Sequence, residues 1–156
     1  MTGRKIALAA VLACAVALPA AAQDYNARPN YGEMSLDSGF TPDPRVINLR
    51  AGGDLNAQNL SSSCRGFITN QPDVRLHYSS GNYPLIISVA SGADTTLVVN
   101  APDGSYYCDD DGGVNGLNPA VRFNRPMSGR YEIWVGTYSS GRTQPAELHI
   151  SEVASQ

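Results

Sequence analysis

Three consecutive carboxylates, Asp109-Asp110-Asp111, stand beside Gly112-Gly113 and are followed by Asn115 and Asn118. Calcium takes roughly 6–8 oxygen ligands from carboxylates and carbonyls, and a glycine-rich loop can wrap around it. These five residues are therefore the candidate metal site, with calcium as the candidate cofactor. The alternate Asp spacing and distal Glu of an EF-hand are missing. The competing reading is a solvated turn, in which one Asp bonds its own backbone and the others face water. Asp94 and Asp103 read as turn-makers.

Aromatic side chains form the second constellation. Tyr106, Tyr107, Trp134 and Tyr138 lie close to the acidic loop in sequence. Trp134 alternates against Ile133 and Val135 and is in phase with Glu132, so it should face away from the main core. An exposed Trp with tyrosines nearby makes a ligand-binding platform; a covering N-terminal leader or long loop would instead bury it. No catalytic residue is assigned. His77 and His149 sit at alternate positions in phase with Arg75 and Glu147 and should point outward. No serine stands in a Gly-x-Ser-x-Gly elbow or a Gly-Asp-Ser-Gly setting.

The chain opens with Arg4 and Lys5, an apolar run from Ile6 to Leu18, and Ala20-Ala21-Ala22. This is the form of a secretory signal peptide, residues 1–22, cut after Ala22. The apolar run is shorter than the roughly 20 residues that cross a bilayer, so no membrane span is expected after processing. The mature chain keeps 9 of the 11 basic residues against 14 acidic ones, a formal charge of −5. That excludes the basic surface nucleic acid requires. Export leads to an oxidising compartment, so Cys64 and Cys108 are expected to form a disulfide.

These residues need elements to hold them. Residues 23–45 read as an extended leader, because Pro42 and Pro44 forbid a helix; one edge strand is expected near Glu33–Leu36. Residues 46–156 read as one β-sandwich domain. Val74, Leu76 and Tyr78 alternate onto one face, as do Tyr131, Ile133 and Val135, and then Leu148 and Ile150. Leu85 to Val89 is a continuous apolar run suited to a central strand. Cys64 to Ile68 reads as a strand, and Asp54 to Ser63 as a polar stretch with a short helical turn. Pro102-Asp103-Gly104 between two β-prone runs is a hairpin signal. The expected fold is all-β: an antiparallel sandwich, jelly-roll-like, with eight or nine short strands.

From about Pro72 to Val153 the chain resembles the bacterial pre-peptidase C-terminal domain family. The resemblance rests on Asp94-Thr95-Thr96-Leu97-Val98-Val99, Pro102-Asp103-Gly104, Asp109-Asp110-Asp111-Gly112-Gly113 and Ser128-Gly129-Arg130-Tyr131-Glu132-Ile133-Trp134-Val135-Gly136. It implies a secreted β-sandwich found beside extracellular enzymes, often peptidases; some relatives bind calcium and some bind fibrous substrates. Arg130 stands where threonine is usual, and the Cys64/Cys108 pair is not a general feature of that family. The expected function is an exported, non-catalytic binding or accessory module whose partner is an extracellular polymer or an exported protein. The alternatives are a small secreted serine hydrolase or peptidase, and a structural envelope protein.

Overall fold

The computed structural model describes residues 24–156; the signal peptide expected at 1–22 lies outside them. Eleven strands form: β1 (Glu33–Asp37), β2 (Arg45–Ala51), β3 (Leu55–Asn56), β4 (Phe67–Ile68), β5 (Val74–Ser79), β6 (Leu85–Ala90), β7 (Thr95–Asn100), β8 (Tyr106–Asp109), β9 (Ala120–Phe123), β10 (Gly129–Thr137) and β11 (Gln144–Ser151). One 3-10 turn, Ala57–Asn59, joins β3 to β4 and is capped by the Asn56 side chain, which accepts from Gln58 N. Among the described residues no helix is long and apolar enough to cross a membrane.

The strands make two facing sheets. One runs β2-β11-β6-β9; the other centres on β10, with β5 and then β1 on one side and β7 and then β8 on the other. Taking β2 and β5–β11 as eight successive strands, the sheets read 1-8-3-6 and 2-7-4-5. That alternation between layers is a jelly roll, as the strand spacing predicted.

The core follows from alternation. Val74, Leu76 and Tyr78 of β5 and Tyr131, Ile133 and Val135 of β10 point inward, against Leu85, Ile87 and Val89 of β6 and Leu148 and Ile150 of β11. Each such aliphatic side chain contributes roughly 1.5–3 kcal/mol by leaving water. The Pro102-Asp103-Gly104 hairpin forms as expected: Gly104 takes φ +80°, its N–H donates to the Ala101 carbonyl at 2.8 Å, and Asp103 Oδ1 accepts from Ser105 N.

Four expectations need correction. The strand count is eleven: β1 forms at the edge strand expected near Glu33–Leu36, β4 lies within the strand expected over Cys64–Ile68, and β3 is the addition. The sandwich begins before residue 46, and it is not wholly antiparallel: β1 pairs parallel to β5, Glu33 with Arg75 through Asp37 with Ser79. The N–H groups of Asn30 and Tyr31 donate to the carbonyls of Pro72 and Asp73, which starts the two segments side by side in the same direction. The strand expected over Cys64–Ile68 shrinks to Phe67–Ile68, because Gly66 has φ +83° and breaks the extended run.

Candidate functional site

The acidic loop lies at one end of the sandwich, where β7 begins and β8 and β10 end. Three connections meet there: 91–94, 110–119 and 138–143. They are tied to one another by hydrogen bonds. Thr95 N donates to the Leu117 carbonyl, Tyr138 N to the Asp94 carbonyl, and Asn118 Nδ2 to the Ser91 carbonyl at 3.0 Å.

Two of the five candidate metal ligands are engaged in building this end. Asp109 Oδ2 accepts from Gly112 N at 2.7 Å and from Ala120 N at 2.9 Å, so it closes the turn and starts β9. A side chain on Gly112 would collide with that carboxylate, since a Cβ there falls 2.6 Å from Oδ2. Asn118 is buried, and its Oδ1 accepts from Thr95 Oγ1 at 2.8 Å. Asn115 is exposed, with its carbonyl accepting from Asn118 N. Asp110 and Asp111 remain, with Asp94 near them: burial raises the Asp94 pKa, and the charges of Asp111 and Asp110 raise it further. Among the described residues, no three His, Cys, Asp or Glu side chains group so as to hold a metal ion.

The four aromatics do not form one platform. Trp134 does face away from the main core, but it is fully buried, which corrects the exposed reading. It lies in a second apolar cluster on the outer face of the β10 sheet, with Val98, Ala57, Cys64 and Ile68 and with Tyr106 packed alongside. The cover is the 54–68 segment, as the long-loop alternative expects, and not the N-terminal leader. Tyr107 points the other way and meets Phe123 edge-on at 4.9 Å between ring centroids. Tyr138 stands apart at the acidic end, 48% exposed.

The disulfide forms as expected, Cys64 to Cys108, with Cα atoms 5.1 Å apart. It joins the 54–68 segment to β8.

The histidines do not share a cleft. His77 lies on β5 with Nε2 3.6 Å from Glu33 Oε2; His149 lies on β11, in the opposite sheet, with Nε2 3.2 Å from Glu147 Oε2. Their own phase faces both outward, as read from the sequence, but His149 is buried. Neither has a serine partner among its hydrogen bonds.

Sequence reasoning missed the charged groups that close the structure. Glu132 is 1% exposed, on the outer face of β10, between Arg75 Nε at 2.5 Å and Arg130 Nε at 3.1 Å. Burial raises its pKa, against the opposing pull of those arginines. Arg75 also donates to the carbonyls of Tyr25 and Ala27, and Arg130 to Asn26 Oδ1, strapping the N-terminal segment over this pair. Glu152 accepts from Ser38 Oγ, Gly39 N and Tyr78 OH, at 2.8, 2.7 and 2.6 Å. The opposition of Arg75 and Glu132 across β5 and β10 depends on strand register, which one sequence does not carry.

These features define a jelly-roll sandwich whose loops at one end combine acid with exposed apolar side chains. No protein-family model matches the chain, and no curated protein matches it. Among solved structures it is similar to the crystal structure of Aeromonas hydrophila PliG, a periplasmic lysozyme inhibitor of g-type lysozyme. Identity is 17% over 76% of this chain and 96% of that one, with a TM-score of 0.38. A likeness at that level supports no functional argument.

Proposed function

We propose that this chain is an exported, non-catalytic binding module that engages another exported protein, of basic surface, through its acidic end. The observation that carries the reading is the composition of that end. Val114 is 74% exposed, Leu117 56% and Tyr138 48%, on two loops that the 91–94 turn ties together. Asp110 and Asp111 lie on the same loop as Val114 and Leu117, and Asp94 on the adjoining turn. Large apolar side chains at the surface beside charged ones mark protein-binding surfaces; the charge on the loops at this end is three carboxylates, Asp94, Asp110 and Asp111, to one cation, Arg142 on the 138–143 loop. The disulfide and the expected signal peptide both fit an oxidising compartment. The resemblance to the pre-peptidase C-terminal family belongs to this proposal, and on it the partner is an exported peptidase.

The test is capture from an exported fraction by the immobilised mature chain, followed by the same capture with Leu117→Asp and Tyr138→Ala. Both variants should lose the partner, while Tyr83→Ala at the opposite end, where Tyr83 is 57% exposed, should keep it. Equal retention by all three would remove the acidic end as the site.

A further inference from the structure

We propose that the Cys64–Cys108 disulfide is a redox latch: a dithiol that reduces it releases the 54–68 segment as a flap and uncovers Trp134 without unfolding the sandwich. The proposal goes beyond the binding reading and does not depend on it.

The architecture separates the two parts. The main core lies between the sheets, while Trp134 belongs to a small second cluster on the outer face. Among the described residues only the 54–68 segment roofs that second cluster, with Leu55, Ala57, Leu60, Cys64 and Ile68 over Val98, Trp134 and Tyr106. Removing the roof leaves the inter-sheet contacts in place.

The flap is self-contained. Its side-chain hydrogen bonds end on its own residues: Asn56 Oδ1 accepts from Gln58 N, Ser61 Oγ pairs with Ser63 Oγ, and Arg65 Nη1 donates to the carbonyls of Ser62 and Cys64. Its two short strands pair with each other at Leu55–Ile68 and Asn56–Phe67. Against the body it has one register pair, Phe67 with Thr137 of β10. Apart from that, the seal is apolar contact and one covalent bond.

The seal is also imperfect in polar terms. Trp134 Nε1 and Thr96 Oγ1 are both buried without a hydrogen-bond partner. Both side chains lie on the outer face, and Thr96 is covered directly by Gly66, whose Cβ position falls 2.5 Å from Thr96 Oγ1. Two orphaned groups oppose closure, because opening returns each of them to water. The bond between Cys64 and Cys108 offsets that cost while it is intact.

The chemistry is thiol–disulfide exchange. Cys64 is fully buried, whereas Cys108 is only partly so. A thiolate of the dithiol attacks Cys108 Sγ, forms a mixed disulfide and expels Cys64 as thiolate, which takes up a proton. The second thiol of the reductant then attacks its own sulfur in the mixed disulfide and frees Cys108. The two electrons come from the dithiol, which leaves as a cyclic or intramolecular disulfide.

Trp134 is the single tryptophan of the chain, so its emission reports this one roof. Dithiothreitol is added to the native mature protein without denaturant until two thiols are counted. The expected result is a red-shifted emission and a several-fold rise in acrylamide quenching, with the far-ultraviolet β-sheet spectrum and a cooperative melt retained. The Cys64→Ser/Cys108→Ser double variant should show the same emission with no reductant. An unchanged emission after verified reduction would overturn the proposal, and so would loss of the sheet spectrum in step with the emission change. If the double variant does not fold, reduced wild-type protein decides the matter alone.

Discussion

Burial pushes the Asp73 carboxyl up to about 6, against the opposing hydrogen bonds from Asn30 and Val135 N. A carboxyl whose folded pKa lies above its unfolded value binds its proton more tightly in the native state. Stability is therefore highest below about pH 4 on this group's account and falls as pH rises from there through 6, by on the order of 3 kcal/mol in all. Burial raises Glu132 in the same sense. Urea midpoints measured between pH 4.5 and 7, pH values chosen to span the shift, should fall with rising pH in wild-type protein. The slope should be shallower in Asp73→Asn, and an identical slope would refute the assignment. Glu152 is a different case: it accepts three hydrogen bonds, and Glu152→Ala leaves the buried Tyr78 hydroxyl without its acceptor. That variant should cost about 3 kcal/mol in urea unfolding. For the acidic loop, Asp109 and Asn118 are committed to protein hydrogen bonds. Millimolar calcium should accordingly leave the melting midpoint where chelator puts it; a rise of several degrees would restore the loop as a calcium site.

Elements were legible wherever side chains alternate against a single core. Val74-Arg75-Leu76-His77-Tyr78 declares its inward face because polar Arg75 and His77 alternate with apolar residues, and Tyr131, Ile133 and Val135 of β10 and Leu148 and Ile150 of β11 keep the same alternation. The outer face of the β10 sheet defeats that reading, because it is half covered. Trp134 was placed on the correct side of the strand, yet its burial depends on a segment some seventy positions earlier folding across it. Nothing local in 54–68 marks it as a roof: it is polar and turn-rich like any surface loop. The parallel placement of β1 was hidden for a similar reason, since it depends on the Asn30 and Tyr31 N–H groups finding Pro72 and Asp73. The disulfide closes a sequence separation of 44, and chain entropy gives about 4 kcal/mol for a loop of that length. Unfolding in urea with and without reductant should differ by that order, and a difference near zero would show that the latch contributes nothing to the folded state. Gly66→Ala should also destabilise, since a Cβ there meets Thr96 Oγ1 and the Thr137 carbonyl within 2.6 Å at a positive φ.

At the scale of the molecule, the jelly roll sorts its connections to two ends. The acidic end gathers loops that are 15 to 45 residues apart in sequence, which is why Asp94, Leu117 and Tyr138 could not be seen as one surface beforehand. The aromatic grouping read from proximity in sequence failed for the same reason: neighbours along a strand alternate between faces, and Tyr106 and Tyr107 point to opposite sides of the sheet. The described residues, 24–156, carry a formal charge of −5, which agrees with a basic partner. Capture of an exported partner, repeated with Leu117→Asp and across a salt series, tests the binding reading most directly. The expected result is a partner held at low ionic strength, weakened by salt, and lost with the Leu117 variant. Retention of that partner by Leu117→Asp at every salt concentration would contradict it.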